Sequence, residues 1–219
     1  SNVNAEFQLP YGFMLSVGAM YTRDIYNVVQ KNMNEKAPSG TYNEQPGRVY
    51  WTKNNYYDNP KTKTVIQLTN GDEKGYQYSF NAVLTKKFDF GFTGSFGYTY
   101  TMAKDMTANP GSSAASVWQN NVAVNSLNDP GVSYSLFSTP HRLIANASYE
   151  VAYANMKTTV SLFYTGYQQG RFSYTYSNDM NGDGNYSDLM YVPASKEEMT
   201  FVDIKDKQNN VTYSAVDQQ

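Results

Sequence analysis

The sequence predicts an all-β fold, an antiparallel up-and-down meander of about six strands with long polar loops. Three observations support this prediction. Apolar and polar residues alternate strictly over long stretches, short and long connections alternate along the chain, and 21 Tyr and 11 Phe occur among 219 residues. Alternation with period two sends side chains to opposite faces of a strand. Tyrosine in such excess suits surfaces with one apolar and one wet edge. We therefore expect a sheet with an aromatic face and a polar face.

Six stretches alternate in this way, and short turns join them in pairs. Pro10-Tyr11-Gly12 separates the first two, Phe88-Asp89-Phe90-Gly91 is a tight hairpin signal between the next two, and residues 152–155 separate the last two. A turn or bulge is expected at Asn70-Gly71-Asp72, early in the third strand. The predicted strands are 2–9, 13–29, 65–68 continuing as 75–86, 90–101, 142–151 and 157–167.

The stretch at 90–101 indicates what each face holds. One of its faces is aromatic apart from Gly94, and the other contains only Gly, Ser and Thr. A small polar face suits a water-filled lumen, whereas a soluble sandwich also needs large side chains in its core. For the central hairpin the sequence places Phe92, Phe96, Tyr98, Tyr78, Phe80 and Leu84 on one face, and Gly97, Ser95, Ser79 and Asn81 on the other.

The connections predict how the strands are arranged. Residues 30–63 and 103–140 are long polar loops, and each alternates with one of the short turns. Strands of about ten residues cross a bilayer when they are tilted, and short turns at one end with long loops at the other are typical of a transmembrane β-barrel. The predicted fold is a partial barrel of this kind. Residues 1–195 are assigned to it, and residues 196–219 to a loop or extension with a helical turn at 195–199.

Composition argues against several other classes of protein. The net charge is −2 with no basic run, so we expect no nucleic acid partner. The chain has no Cys and a single His, His141, which excludes thiolate and multi-histidine metal sites within it. No catalytic motif occurs, so no enzymatic activity is expected. No apolar run approaches the roughly 20 residues of a membrane-spanning helix. Residues 1–10 do not resemble a signal peptide, which favours a mature chain or an excised fragment.

A set of motifs, in a fixed order and spacing, resembles a known family. The motifs are Gly75-Tyr76-Gln77-Tyr78, Leu84-Thr85-Lys86-Lys87-Phe88, Tyr98-Thr99-Tyr100-Thr101-Met102-Ala103-Lys104-Asp105, Thr139-Pro140-His141-Arg142, Phe163-Tyr164-Thr165-Gly166, Phe172-Ser173-Tyr174, Asp179-Met180-Asn181-Gly182-Asp183-Gly184 and Asp188-Leu189-Met190-Tyr191-Val192-Pro193. Together they resemble the late barrel of TonB-dependent outer-membrane receptors of Bacteroidota, in the Oar-like branch, over about residues 1–195.

The resemblance implies an outer-membrane barrel of about 22 strands with a plugged lumen, which moves a bulky ligand with energy from the partner TonB. A plug domain, a TonB box and a closing aromatic strand are not recognisable in this sequence. We therefore expect a segment of such a barrel that contacts outer-membrane lipid, encloses the lumen and supplies ligand-selecting outer loops. Two alternatives stay open: a secreted or surface β-sandwich that binds glycan or protein with a calcium-stabilised loop, and a small porin-like barrel, which the missing closing strand disfavours.

An acidic segment near the end of this region is a candidate calcium site. Asp179, Asn181 and Asp183 occupy alternate positions before Gly184, as in the loop pattern D-x-N-x-D-G. The predicted ligands are Asp179, Asn181, Asp183 and Asp188. The twelfth position is Met190, where the calcium loop needs a bidentate Glu, and Asp188 is the candidate replacement. The alternative is a turn bent by its own Asp and Asn side chains without a metal.

An aromatic group in the first long loop is a candidate ligand-contact site. It consists of Trp51, Tyr50, Tyr56 and Tyr57, and it stands beside Lys53, Asn54 and Asn55. Aromatic rings among amide side chains suit contact with sugars or peptides. The same rings are equally able to pack on one another and stabilise the loop.

Overall fold

Six long strands form one antiparallel sheet in the computed structural model of the chain, which describes residues 1–43, 45, 47–52, 55–57 and 64–218. The strands are β1 (Asn2–Leu9), β2 (Phe13–Arg23), β3 (Val28–Asn32), β4 (Gly40–Thr41), β5 (Val49–Tyr50), β6 (Ile66–Asn70), β7 (Tyr76–Lys87), β8 (Phe92–Asp105), β9 (Ser133–Tyr134), β10 (His141–Tyr153), β11 (Met156–Tyr167), β12 (Ile204–Lys205) and β13 (Val211–Tyr213). The helices are α1 (Ala114–Asn120) and two short 3₁₀ turns, Pro10–Gly12 and Lys196–Glu198.

The large sheet is a meander in the order β1-β2-β7-β8-β10-β11, with β9 paired to the end of β8. Every pairing is antiparallel. The predicted all-β meander of about six strands is therefore confirmed. The sheet does not close on itself, because β1 and β11 form its two edges and pair on one side only among the described residues.

The register confirms the predicted faces. Directly opposed residues of an antiparallel pair project to the same face, and Leu84 lies opposite Phe96 while Ala82 lies opposite Tyr98. The next strands continue the pattern, since Leu143 lies opposite Tyr98. One face, here called the apolar face, carries Val3, Phe7, Leu15, Val17, Tyr78, Phe80, Leu84, Phe92, Phe96, Tyr98, Leu143, Tyr149, Val160, Leu162 and Tyr164.

The opposite face, here called the polar face, holds mainly small or polar residues. It includes Asn4, Gly18, Asn81, Thr85, Thr93, Ser95, Gly97, Thr99, Asn146, Ser148, Thr159 and Ser161. Larger apolar side chains interrupt it at Met14, Met20, Val83, Ile144 and Phe163. Even so, one face differs clearly in size and polarity from the other across the whole sheet.

The three short turns lie at one end of the sheet, as predicted, and need unusual backbone angles. Tyr11 and Gly12 have φ of 63° and 76°, and Ala154 has φ of 50°. Gly91 has φ of 91°, and a Cβ there would collide with the carbonyl oxygen of Glu150. Only glycine therefore fits at position 91, because it has no side chain to strain the positive φ or to collide with Glu150.

The prediction of one continuous strand over 13–29 is wrong. The ladder between β2 and β7 ends at Arg23, and pairing resumes between β3 and β6 after a break. Hydrogen bonds mark both sides of the break, from Asp24 N to Gly75 O at 2.9 Å and from Gly71 N to Asn27 O at 2.8 Å. Three residues on one strand then oppose two on the other, and this mismatch interrupts the sheet as a bulge does. The break predicted at 70–72 is correct.

The two long loops are more ordered than the sequence predicted. Residues 30–63 contribute most of β3 together with β4 and β5, and residues 103–140 contribute the end of β8, the helix α1 and the strand β9. The described residues of 24–75, 106–140 and 168–190 pack together and are called the loop assembly below. Beyond it, the predicted helical turn at 195–199 is present as Lys196–Glu198, and β12 and β13 form a small hairpin that the sequence analysis missed.

Buried side chains concentrate in the loop assembly. Among the described residues of the six long strands, only Gly18 and Ser79 are buried. The apolar cluster at the centre of the loop assembly consists of Trp118, Ala123 and Leu127, with Ile66 packed against it. The large sheet therefore has no core of its own within this part of the structure.

No helix in the described residues is long or apolar enough to cross a bilayer.

Candidate functional site in the loop assembly

The acidic loop, residues 179–188, is bent by its own side chains. Asp179 accepts main-chain hydrogen bonds through both carboxylate oxygens, from Gly182 at 2.7 Å and from Gly184 at 2.9 Å. Asn181 Oδ1 accepts from Asp183 N at 2.9 Å. Hydrogen bonds of this kind from Asp and Asn to the backbone ahead stabilise tight turns. The alternating acidic and amide residues thus shape the loop.

Two glycines allow the acidic loop to turn back on itself. Gly182 and Gly184 have φ of 81° and 89°, where side chains other than glycine are strained. Gly182 also lies so close to Trp51 that a Cβ would collide with its carbonyl oxygen. The turn therefore depends on the glycines as well as on the acidic residues.

The first long loop binds four successive main-chain carbonyls of the acidic loop. The donors come from residues 42–56, more than 100 positions away in the sequence. The four bonds run from Tyr42 OH to Met180 O at 2.8 Å, from Trp51 N to Asn181 O at 2.7 Å, from Asn55 Nδ2 to Gly182 O at 3.1 Å and from Tyr56 OH to Asp183 O at 3.1 Å.

The second long loop holds the acidic loop from another direction. Asn181 Nδ2 donates to Asn125 O at 3.0 Å, and Asn125 Oδ1 in turn accepts from Val49 N at 3.1 Å. Asn125 therefore links the first long loop with the acidic loop. Because three segments distant in sequence meet here, the site forms only when the whole loop assembly is folded.

Arg48 and Asp188 fasten the end of the acidic loop. Arg48 is only 2% exposed and donates to Leu189 O and, at 3.1 Å, to Gln45 Oε1. Asp188 Oδ2 accepts from Met180 N at 2.8 Å. Burial raises the pKa of Asp188 above its usual value, while the hydrogen bond from Met180 works against that rise. Both side chains are therefore used mainly to join backbone segments.

Glu35 is the least satisfied acidic side chain near the loop. It is 8% exposed, and its Oε1 accepts from Ser126 Oγ at 3.3 Å, while its Oε2 is buried and has no hydrogen-bond partner. The pKa of Glu35 is raised from 4.5 to about 7, mainly by burial and also by the charge of Asp183. Burial also raises the pKa of Asp183 to about 6, with contributions from the charges of Asp188 and Asp179. An unpartnered buried carboxylate is costly unless a cation or proton compensates it.

The predicted aromatic contact residues do not form one exposed surface. Trp51 is buried and its Nε1 donates to Lys36 O at 2.7 Å, and Tyr50 packs on Tyr42 with ring centroids 5.2 Å apart. Tyr57 is exposed, with the Lys36 ammonium 5.9 Å from its ring centroid. Trp51 and Tyr56 form hydrogen bonds within the loop assembly, from Trp51 Nε1 to Lys36 O and from Tyr56 OH to Asp183 O. Contact with a ligand stays a prediction, and Lys53 and Asn54 lie outside the described residues.

Glu35, Arg48 and the helix α1 were not predicted from the sequence. The helix has a sequence signal, because Ser113 and Ser116 form a capping box: each hydroxyl accepts from the other's main-chain N–H. Glu35 and Arg48 have no such signal. They stand in polar stretches with no motif, and only their long-range contacts distinguish them.

A cavity of about 900 Å³ lies between the loop assembly and the end of the sheet. Its lining includes Asp129, Tyr134 and Arg171, and the guanidinium of Arg171 lies 3.8 Å from the ring centroid of Tyr134. None of the four predicted aromatic contact residues lines it. The cavity mixes charged, amide and aromatic groups and is large enough for a small-molecule ligand or part of a larger one.

Comparison of the sequence and structure with known proteins returned no match, whether to models of protein families, to curated proteins or to solved structures.

Within the described ranges, no three His, Asp or Glu side chains gather closely enough to form a metal site by themselves. A metal bound at the acidic loop would therefore need amide or main-chain oxygens among its ligands, and any carboxylates that it binds would have to move closer together than they lie in this structure.

Proposed function

We propose that this chain is a wall segment, with ligand-selecting loops, of a TonB-dependent transporter in the outer membrane of a Gram-negative cell. The main supporting observation is the apolar face, a continuous band of exposed apolar side chains across six antiparallel strands. Phe96 in the centre of the sheet is 53% exposed and Leu162 near one edge is 71% exposed. Water-soluble proteins rarely leave so large an apolar surface uncovered, whereas a barrel wall presents it to lipid.

The length and polarity of the strands agree with this proposal. β7, β8, β10 and β11 have 12, 14, 13 and 12 residues, enough to cross a bilayer at the usual tilt. The polar face has small side chains, as expected for a wall that borders a wet lumen. Lipid on one face and water on the other would satisfy both faces without a second protein layer.

The two ends of the sheet suggest an orientation. The turns at Pro10–Gly12, 88–91 and 154–155 are short, while the loop assembly occupies the opposite end. Outer-membrane barrels place short turns on the periplasmic side and long loops outside. We therefore assign the loop assembly to the cell exterior, where its cavity of about 900 Å³ would meet a bulky ligand.

The role assigned to the chain is passive. In the receptors that the sequence resembles, TonB acts on a plug domain, so we place energy coupling there and not in the sheet. The wall encloses the path, the loops select the ligand, and no catalytic step is assigned to any residue.

Single-cysteine scanning tests the proposal cleanly, because the native chain has no Cys. Cysteines are placed at Phe96 and Leu162 on the apolar face, and at their neighbours Ser95 and Ser161 on the polar face. After reconstitution in vesicles, each is labelled with a fluorophore and exposed to quenchers attached to lipid chains. We expect quenching at Phe96 and Leu162 only, and reaction with water-soluble maleimides at Ser95 and Ser161 only.

The alternative, a secreted or surface β-sandwich, predicts different results. In a sandwich, the apolar face would pack against protein, so the chain would stay monomeric in dilute detergent-free buffer with Phe96 shielded from water. Sedimentation giving such a monomer, together with no quenching by lipid at either apolar position, would reject the barrel proposal.

A further inference from the structure

We propose that the acidic loop binds a calcium ion, and that Glu35, from a different loop, completes the site in place of the carboxylate that Met190 does not provide. The ligands assigned within the acidic loop are the side chains of Asp179, Asn181 and Asp183 and a main-chain carbonyl at Asn185. This inference does not depend on the proposed transport function, since a soluble β-sandwich with the same loops would hold the same site.

The acidic loop has the residue pattern of a calcium loop and the left-handed glycine that this pattern requires. Calcium loops of this pattern take ligands from positions 1, 3 and 5, use a main-chain carbonyl at position 7 and require glycine at position 6. In this chain those positions are Asp179, Asn181, Asp183, Asn185 and Gly184. Gly184 has the positive φ that the turn needs. The carbonyls of 180–183 are bound by the first long loop, whereas no hydrogen bond to the carbonyl of Asn185 is present among the described residues.

The buried side chain of Glu35 is a second, independent indication of a bound cation. Two segments that touch the acidic loop also position Glu35. Its main chain pairs with that of Tyr56, whose hydroxyl donates to Asp183 O, and its Oε1 accepts from Ser126, the neighbour of Asn125, which binds Asn181. Its carboxylate lies near enough to Asp183 for the two charges to repel. The second oxygen, Oε2, is buried without a partner, which a cation between the two carboxylates would correct.

Glu35 suits the closing position better than Asp188 does. Asp188 already uses Oδ2 for two main-chain N–H groups, of Met180 at 2.8 Å and Asn181 at 3.4 Å, and so holds the ends of the loop together. Glu35 has a longer side chain and a free oxygen. Asp188 was the ligand predicted from the sequence of the loop alone, because a ligand from another segment has no local signal.

The chemistry of the ligand set favours calcium. All the assigned ligands are hard oxygens, and they mix carboxylate, amide and main-chain carbonyl groups. Calcium accepts six to eight such ligands at about 2.3–2.6 Å in flexible geometry, whereas magnesium requires a tighter octahedron and retains water. A bound calcium ion would also join the first long loop to the acidic loop through Glu35 and Asp183.

The two tryptophans provide a direct assay, because both lie in the loop assembly and Trp51 touches the acidic loop. The full chain in detergent is first stripped with a chelator. It is then titrated with calcium alone by calorimetry, with magnesium as a comparison, and with terbium as a luminescent calcium substitute excited through tryptophan. We expect one ion per chain, sensitised terbium emission, and displacement of terbium by calcium but poorly by magnesium.

Three variants separate the ligands from the structural residues. Glu35→Gln keeps the size of the side chain and removes the charge, and we expect calcium affinity to fall about tenfold or more, because each carboxylate tunes the affinity of such sites. Asp183→Asn is expected to have an effect at least as large. Glu197→Gln, the same substitution at an exposed Glu in the 3₁₀ turn Lys196–Glu198, serves as the matched control and should bind as the wild type does.

The outcome decides between the proposal and a turn without metal. Glu35→Gln removes a buried, uncompensated charge, so its loop assembly should remain folded in calcium-free buffer, as its tryptophan emission will verify. Wild-type calcium affinity in Glu35→Gln, with lost affinity in Asp183→Asn, would overturn the assignment of Glu35. No calcium uptake by the wild type at about 1 mM, the weak end for such loops, would overturn the whole site.

Discussion

The large sheet and the loop assembly of this protein differ in a way that reverses the usual arrangement. The sheet has long, regular strands with continuous ladders, yet almost none of its side chains is buried on either face. The loop assembly has short elements, yet it contains Trp118 at 2% exposure, a fully buried arginine and several buried Asn and Asp residues. In most soluble domains the regular elements supply the core and the loops lie outside it.

The difference shows where each region obtains its stability. The loop assembly buries its own apolar and polar groups, and hydrogen bonds between distant segments satisfy most of the buried polar atoms. The sheet satisfies the backbone of its four inner strands but not its apolar face, which needs an external partner. Lipid is the partner that we propose. Measurements that affect one region and spare the other therefore test this division directly.

The largest effect is expected from Trp118→Ala. This side chain packs against Ala123 and Leu127, and its Nε1 donates to Asn128 Oδ1 at 2.9 Å. Removing a buried aromatic side chain costs about 3–5 kcal/mol, so the free energy of unfolding of the loop assembly should fall by that amount. The emission of the remaining Trp51 during a denaturant titration measures it. The control Phe137→Ala removes an exposed ring and should change stability by less than about 0.5 kcal/mol.

The next effect concerns the sheet and compares neighbouring residues on its two faces. Leu162→Arg places a charge on the apolar face and should destabilise the protein in vesicles by about 2–4 kcal/mol, the cost of arginine facing the middle of a bilayer. Ser161→Arg places the same charge on the polar face and should have little effect. Equal effects of both substitutions in urea titrations would show that lipid does not contact the apolar face.

A pH dependence of the loop assembly is expected in calcium-free buffer. Burial raises the pKa of Glu35 from 4.5 to about 7 and that of Asp183 from 3.8 to about 6. The folded state therefore binds more protons than the unfolded state, and this contribution to stability is complete below about pH 4 and lost as pH rises to 7. The loss should be on the order of 2–3 kcal/mol for each of the two groups.

Tryptophan emission during denaturation, repeated across this pH range, measures that dependence. Other charges also act on these carboxylates. The charges of Asp188 and Asp179 oppose the ionisation of Asp183, and the charge of Arg48 favours the ionisation of Asp188. Glu35→Gln should remove about half of the slope, because the pKa values of Glu35 and Asp183 are raised by similar amounts. A flat stability profile from pH 4 to 7 in the wild type would contradict the assignment of Glu35 as a buried, unpaired acid.

The smallest effect is expected at the start of α1. Ser113→Ala removes a side chain that caps the helix by accepting from Ser116 N at 3.3 Å, which should cost about 1 kcal/mol. Ser112→Ala changes the preceding, exposed serine and is the matched control. Because Trp118 lies in this helix, its emission should detect the loss. A similar result for both variants would mean that the cap contributes nothing.

The sequence was a good guide to the sheet because the information it needs is local. Successive side chains of a strand point to opposite faces, so the residues on each face of Phe92–Asp105 can be predicted without knowing which strands pair with it. The turns at Pro10–Gly12 and 88–91 could be predicted for the same reason, since glycine often occupies positions of positive φ. The prediction failed at residues 24–29, where the ladder breaks because the partner strand has one extra residue.

The loop assembly could not be predicted in this way. The sequence identified the acidic loop and Trp51, but their relation is a contact between residues 130 positions apart, from Trp51 N to Asn181 O. No periodicity in the sequence indicates a contact between segments that lie so far apart in the chain. The same holds for Glu35 beside Asp183, whose interaction arises from burial and not from spacing along the chain.

The sequence by itself thus determined the all-β meander, its two unlike faces and the alternating lengths of its connections, because pleat and turn chemistry act over a few residues. Only the tertiary structure decided that the loops hold the core, that Trp51 and Tyr56 bind the acidic loop, and that Glu35 is buried close enough to Asp183 for their charges to interact. Those features depend on which distant segments share a buried space, and burial is a property of the folded chain.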